Sequence, residues 1–188
     1  MNNDIKIILA SKSPRRQELL RLMDIEFRLV LKEVDESYPE YLKPEEIAVY
    51  IAEKKAKAFD ETVTDEIVLT ADTIVCVNNQ ILGKPEDAED AIEMLQLLSG
   101  RMHKVITGVC LLHNHHYHSF YEVSEVYFGE LTDEEIIDYV NRYKPFDKAG
   151  SYGIQEFIGL IGIERINGSY TNVVGLPTER LYRELMKM

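Results

Sequence analysis

Apolar residues occupy both alternating faces of Ile67-Val-Leu-Thr-Ala-Asp-Thr-Ile-Val-Cys-Val77, which predicts a central strand covered on each side. Asn78-Asn79 turns it into a short partner, Gln80–Leu82. Lys6–Ala10 and Phe27–Leu31 read as further strands, and His103–His113 with Tyr117–Phe128 reads as a long hairpin around Asn114-His115-His116. Helical periodicity runs from Pro14 to about Met23 and from Pro44 to Phe59, the latter opened by Pro-Glu-Glu. A helix from Pro85 to Leu98 stops at Ser99-Gly100, with the glycine as its cap. Thr132 and Glu135 form a capping box for a helix to about Tyr143. Short strands near Gly162–Ile166 and Tyr170–Val174 flank a turn at Asn167-Gly168, and a last helix runs from Thr178 to the end. This alternation, with its antiparallel insert, predicts a mixed-sheet α/β protein. No repeat, low-complexity tract or linker interrupts it, so no domain boundary is drawn.

Composition narrows the setting. At 188 residues the chain can enclose one substantial core, and 45% hydrophobic with 29% charged residues is the balance of an ordinary globular protein. No apolar run approaches the roughly 20 residues that span a bilayer. Met1-Asn2-Asn3-Asp4 lacks the basic start and apolar stretch of a secretory signal, so a cytoplasmic location is expected. Cys76 and Cys110 both lie in apolar β-like runs and read as buried free thiols. The net charge of −12 repels a nucleic-acid backbone and argues against DNA or RNA as a partner. A small anionic ligand bound through a divalent metal remains compatible, since carboxylates then serve as ligands.

Candidate chemistry is spread along the chain. Ser11-Lys-Ser-Pro-Arg-Arg16 lies between the first strand and first helix, where Ser13 can cap and Pro14 can take the first helical position. Serine hydroxyls, guanidinium groups and open backbone N–H groups at one helix end suit phosphate oxygens. A capped helix with solvated arginines is the alternative. Asp72 stands within the doubly covered strand, where an uncompensated carboxylate costs on the order of 2–7 kcal/mol. A structural salt bridge, a metal or a catalytic role would each compensate it. Lys55 falls in the middle of the arc formed by Ile47, Ile51, Ala52, Ala56, Ala58 and Phe59, so it either snorkels to water or meets phosphate or carboxylate, Asp72 included. Val34-Asp35-Glu36 can supply oxygen ligands to Mg²⁺ or Mn²⁺, or be solvated loop. Lys84, in Gly83-Lys-Pro85, stands ahead of a predicted helix start, a phosphate contact or a solvated lysine. The segments Asp147–Gln155 and Asn167–Tyr170 can bind a base or form glycine turns. His113, His115, His116 and His118 fall at a hairpin tip, as polar loop residues do.

Taken in order, these segments resemble the Maf family over nearly the whole chain. The matching pieces are Ser11–Arg16, Val34–Glu36, Ala52-Glu-Lys-Lys-Ala56, Ala71-Asp-Thr-Ile-Val75, Gly83-Lys-Pro85, Ser99-Gly-Arg-Met-His103, Thr107-Gly-Val109, Asp147-Lys-Ala-Gly150 and Asn172-Val-Val-Gly-Leu-Pro177. The resemblance implies a single bilobed domain over residues 1–188, with an elongated mixed β-sheet flanked by helices and a deep cleft between two lobes, related to the inosine-triphosphate pyrophosphatase fold. It implies homodimers, a divalent metal cofactor (Mg²⁺ or Mn²⁺), and hydrolysis of a nucleoside triphosphate to its monophosphate and pyrophosphate. Asp72 matches the family's catalytic carboxylate, and Glu36 with Asp72 would hold the metal. Ser11, Arg15, Arg16, Lys55 and Lys84 match residues at the phosphates. Arg15, Thr73 and Gln155 match positions linked to base choice, and Tyr152-Gly-Ile-Gln155 implies dTTP and UTP. Glu156-Phe157 departs from that pattern, since many members carry glycine after the glutamine. Two other readings stand beside this one: a pyrophosphatase for 7-methylguanosine triphosphate or another non-standard nucleotide, and a nucleotide-sensing regulator of cell division without turnover.

Overall fold

The computed structural model describes residues 6–61, 63 and 65–188; Met1–Asp4, read above for a secretory signal, lie outside them. The strands are β1 (Ile7–Leu9), β2 (Phe27–Leu29), β3 (Ile67–Val77), β4 (Gln80–Leu82), β5 (Met102–His113), β6 (His116–Phe128) and β7 (Ile163–Asn167). They form one seven-stranded sheet in the order β2-β1-β3-β5-β6-β7, with β4 paired to β3. The helices are α1 (Pro14–Leu22), α2 (Pro44–Lys57), α3 (Ala88–Leu98), α4 (Asp133–Tyr143), α5 (Phe157–Gly162), α6 (Tyr170–Val174) and α7 (Thr178–Leu185). The sheet is mixed: β1 runs parallel to β2 and β3, while β4 and β7 run antiparallel to their partners. Among the described residues no helix is long and apolar enough to cross a membrane. Cys76 and Cys110 are buried thiols.

The chain divides into two compact units, and each is discontinuous in sequence. The first comprises residues 1–73, 107–122 and 175–188, and the second 74–106 and 123–174. Strands β3, β5 and β6 each contribute to both, which is why no linker marks the division.

In the first unit, α2 presents Ala48, Ala52 and Ala56 at four-residue spacing, all fully buried. Ala52 and Ala56 pack with Ile8, Phe59, Val68, Cys110 and Leu112. The small stripe lets the helix backbone lie close to the sheet. Gly108 of β5 completes that fit, because a Cβ there would collide with Ala48 and come within 2.5 Å of the Val49 nitrogen. The Thr70 hydroxyl, on β3, donates to the Ala52 carbonyl at 2.7 Å, fixing the helix along the strand. Helix α7 is tied to β6 through buried Glu184, which accepts from His118 at 2.9 Å, Arg180 at 2.9 Å and Lys187 at 2.8 Å.

In the second unit, Asn78 and Asn79 take the left-handed conformation (φ 50° and 64°) that a two-residue hairpin turn between β3 and β4 demands. The Thr132–Glu135 capping box opens α4 as predicted, with Thr132 Oγ1 accepting from Glu135 N and the carboxylate returning to Thr132 N at 2.8 Å. Two sequence expectations are corrected here, and one helix was not expected. Residues 170–174 form helix α6 instead of a strand. Their β-branched residues favour a strand locally, but Asn172 is fully buried and donates to the Val105 carbonyl (3.0 Å) and Ser124 Oγ (2.9 Å). Helix α3 begins at Ala88, not Pro85, because Asp87 caps it by accepting from the nitrogens of Glu89 and Asp90. Helix α5 escaped the sequence reading because glycines at 159 and 162 interrupt its apolar run.

Candidate active site

Strand β3 is buried along its whole length except at Asp72 and Thr73, which are half-buried. The carboxylate of Asp72 meets the side chain that α2 places among its alanines. Lys55 Nζ lies 2.7 Å from Asp72 Oδ1 and 3.0 Å from Glu36 Oε1. Lys55 and Asp72 are only 17% and 14% exposed, so each compensates a charge that the other would otherwise leave unpaired. Lys55 therefore pairs rather than snorkels, and the alternatives left open for it and for Asp72 meet in one contact.

Glu36 arrives there because its neighbour is anchored. Asp35 accepts from the Ser37 backbone at 3.0 Å and from the Ser37 hydroxyl, and it pairs with Lys54 at 2.9 Å. Those bonds hold the Asp35 carboxyl well below the usual carboxylate range, the Ser37 hydroxyl contributing most. Successive lysines of α2 thus take successive carboxylates of the 34–36 loop. Asp72 and Glu36 are both drawn to one cation, and oxygen donors of this kind suit Mg²⁺ or Mn²⁺. Among the described residues no group of three or more His, Cys, Asp or Glu side chains is placed to hold a metal. An ion at Asp72 and Glu36 would complete its shell from water and phosphate oxygens, as Mg²⁺ commonly does with a nucleotide.

Arg16, in the first turn of α1, turns its side chain inward. Its guanidinium donates to the Gly175 carbonyl (2.8 Å), Ser11 Oγ (3.1 Å), the Ala71 carbonyl (2.9 Å) and Thr73 Oγ1 (3.0 Å). Four of its five N–H groups are so engaged. Burial lowers its pKa, and the charge of Asp72 opposes that shift more strongly than any other neighbour. Two of its acceptors, Ala71 and Thr73, flank Asp72 in sequence, so Arg16 braces the strand segment that carries the carboxylate. Thr73 Oγ1 also lies 2.9 Å from Thr107 Oγ1.

The Ser11–Arg16 motif is knit to itself as well. Ser13 N donates to Ser11 Oγ at 3.2 Å, and Arg16 N donates to the capping Ser13 Oγ at 3.4 Å. These amides, expected to be open to phosphate, are taken by serine oxygens, although each accepting hydroxyl keeps a proton to donate. Arg15 is half-buried at the second position of α1, within electrostatic reach of Arg16.

Lys84 and Gln155 belong to the second unit. Lys84 is exposed two residues past the end of β4 and three residues ahead of the Asp87 cap, and the amides of Glu89 and Asp90 are already bound by that cap. Gln155 is exposed between buried Ile154 and half-buried Glu156. Of the histidine tract, His113 Nε2 lies 2.9 Å from the Asn114 amide nitrogen, His115 Nδ1 is 2.8 Å from Asp60, and His118 joins Glu184. The carbonyls of Ala71 and Gly175 were missed by the sequence reading because backbone acceptors carry no residue signature. The Asn172–Pro177 motif was the available hint for the second.

The pattern of the family described as Maf-like protein matches residues 6–188. The chain is 53% identical over 182 residues to a protein of Flavobacterium psychrophilum named dTTP/UTP pyrophosphatase, covering 96% of this chain and 93% of that one. A protein of the same name from Phocaeicola vulgatus is 55% identical over 185 residues, covering 97% and 96%. Among solved structures, a HAM1 protein from Coxiella burnetii superposes with a TM-score of 0.51 at 16% identity, covering 98% of this chain and 100% of that chain. That likeness is one of fold alone, and it agrees with the relation to the inosine-triphosphate pyrophosphatase fold expected from the sequence. With a match that runs from Lys6 to the last residue and relatives sharing half of its positions, the chain belongs to the Maf family.

Proposed function

We propose that this protein hydrolyses dTTP and UTP to the nucleoside monophosphate and pyrophosphate. The observation that carries the reading is the pair of carboxylates, Asp72 and Glu36, gathered on the Lys55 ammonium. Relatives that share about half its sequence and bear the name dTTP/UTP pyrophosphatase support the choice of substrate. A water oxygen attacks the α-phosphorus, the bond from that phosphorus to the α–β bridging oxygen breaks, and the bridging oxygen leaves with pyrophosphate. Asp72 orients the attacking water and receives its proton. When bound at Asp72 and Glu36, a Mg²⁺ or Mn²⁺ ion would lower the pKa of that water, which a free carboxylate of pKa about 3.9 could not deprotonate efficiently alone. Arg15, Lys55 and Lys84 offset charge building on the leaving group, with Ser11 donating its hydroxyl proton to a phosphate oxygen. Arg16 acts chiefly as the brace of the Asp72 segment. Thr73 and Gln155 take part in base choice. The protein works in the cytoplasm as a homodimer, a reading supported by its family resemblance.

Pyrophosphate release from dTTP, UTP, CTP, GTP and 7-methylguanosine triphosphate, measured with Mg²⁺, with Mn²⁺ and after chelation, tests this reading. Metal-dependent release strongest with dTTP and UTP is expected. Preferential release from 7-methylguanosine triphosphate would replace the substrate, and tight nucleotide binding without turnover would replace the reaction by a sensing role.

A further inference from the structure

The turn Gly153-Ile154-Gln155-Glu156 is closed by a hydrogen bond from Glu156 N to the Gly153 carbonyl at 3.0 Å, leaving Gln155 exposed at its tip. Both corners of that turn are held by one buried hydroxyl. Tyr139, fully buried on α4, donates to Glu156 Oε2 at 2.5 Å and accepts from Gly153 N at 3.2 Å. Glu156 uses its other oxygen to meet Lys148 Nζ at 3.0 Å, and that lysine is itself buried. Gly153 leaves room for this closure, since a Cβ there would stand 2.8 Å from the Glu156 carboxyl carbon. Gly159 of α5 lets that helix rest against the carbonyls of Gly153 and Ile154, where a Cβ would come within 2.5 Å. Burial and the neighbouring carboxylate push the Tyr139 hydroxyl well above its usual range, so it stays a donor across the working pH.

Two buried groups from outside, Tyr139 and Lys148, converging on four residues is more fastening than a turn with one exposed tip needs. We propose that Tyr139, Glu156 and Lys148 are positioning residues for base recognition, holding the turn that presents Gln155. The inference rests on the reading of Gln155 as a base-choosing residue and gives a role to Glu156, the position at which this chain departs from the family pattern. The chemistry explains why fastening matters. Uracil and thymine offer an N3–H donor and an O4 acceptor, while cytosine offers an N4 amine and a bare N3. A primary amide can serve either edge by turning over, so it discriminates only when its reach and direction are limited from the backbone outward.

Steady-state kinetics with Mn²⁺ on UTP and CTP decide the matter, using Tyr139→Phe, Glu156→Gln, Gln155→Ala and the double variant Gln155→Ala/Glu156→Gln. Each single variant is expected to lower the UTP-to-CTP ratio of kcat/KM by about tenfold, mainly through KM for UTP. The double variant should show no further loss, because the clamp acts through Gln155. Glu156→Gln keeps the side-chain shape and serves if Tyr139→Phe folds poorly. A ratio that collapses in Gln155→Ala but holds in both clamp variants overturns the positioning role alone. Equal losses for UTP and CTP in the clamp variants also overturn it, as these would mark a structural part only. A ratio that holds in Gln155→Ala overturns the base reading and the inference with it.

Discussion

Asp72 and Thr73 are the half-buried residues of a strand that is otherwise closed off, and both are gripped by cations from other elements. Exchanging Asp72 for Asn removes one of the two carboxylates at Lys55 while Glu36 remains, so the fold should persist. Turnover should fall by about three orders of magnitude, in line with the loss of a group acting in the transition state. Near-normal turnover in a folded D72N protein would take Asp72 out of the reaction. Arg16 poses a different test. Lysine offers a point charge in place of a fork and cannot reach Gly175, Ser11, Ala71 and Thr73 together. Arg16→Lys should therefore cost about 2 kcal/mol in urea unfolding and lower kcat by loosening the Asp72 segment. An unchanged urea midpoint would show that the brace carries no stability. Both Lys55 and Asp72 were visible in the sequence as charges without partners, because their neighbours in helix and strand are apolar. Their pairing was not, since 17 positions separate them and only the crossover from α2 to β3 sets their distance.

At the scale of elements, α2 and β5 depend on the absence of a side chain at Gly108. Gly108→Ala should drive the Ala48–Val49 backbone off the sheet, destabilise the protein by about 2 kcal/mol, and depress activity because α2 carries Lys55. Normal melting and normal turnover would contradict the close approach. Strand β5 also buries His103, whose ring shares a 2.7 Å hydrogen bond with Tyr152. Burial keeps this imidazole neutral and pushes its pKa down to about 4. The unfolded chain protonates the same ring near pH 6.5, so the folded state holds the full benefit above about that pH and loses it as pH falls towards 4. Between pH 7.5 and 5.5 the loss is about 1 kcal/mol, and His103→Gln should show a pH dependence smaller by that amount in paired urea titrations. Equal pH dependence in both proteins would refute it. Element types were legible wherever periodicity or capping was strong, as in β3, α2 and the Thr132–Glu135 box. Helix α6 was not, because a buried Asn172 with two protein acceptors outweighs the strand preference of its β-branched neighbours.

Taken whole, the chain carries a net charge of −12, and its cations near Asp72 are already matched to carboxylates and backbone oxygens. A fluorescent single-stranded oligonucleotide at low salt should therefore show no binding by anisotropy, where a basic groove would give salt-sensitive retention. Saturable binding would point to a cationic surface that the composition conceals. Several properties were written into the order of residues alone. Alternating apolar faces, capping residues and paired asparagines specify strands, helices and turns through local geometry, and the succession of short motifs identifies the family. Other properties arose only from the fold. Where the chain divides into its two units does not show in the residue pattern, because β3, β5 and β6 run through both without a linker. The bracing of Asp72 by Arg16 uses carbonyls that every residue possesses, at positions 71 and 175. The fastening of the Gln155 turn joins Tyr139, Lys148 and Glu156 through a hydroxyl and an ion pair. Local preference sets what most segments become, whereas such contacts, like those that make α6 a helix, depend on distances that exist only once the strands and helices have packed.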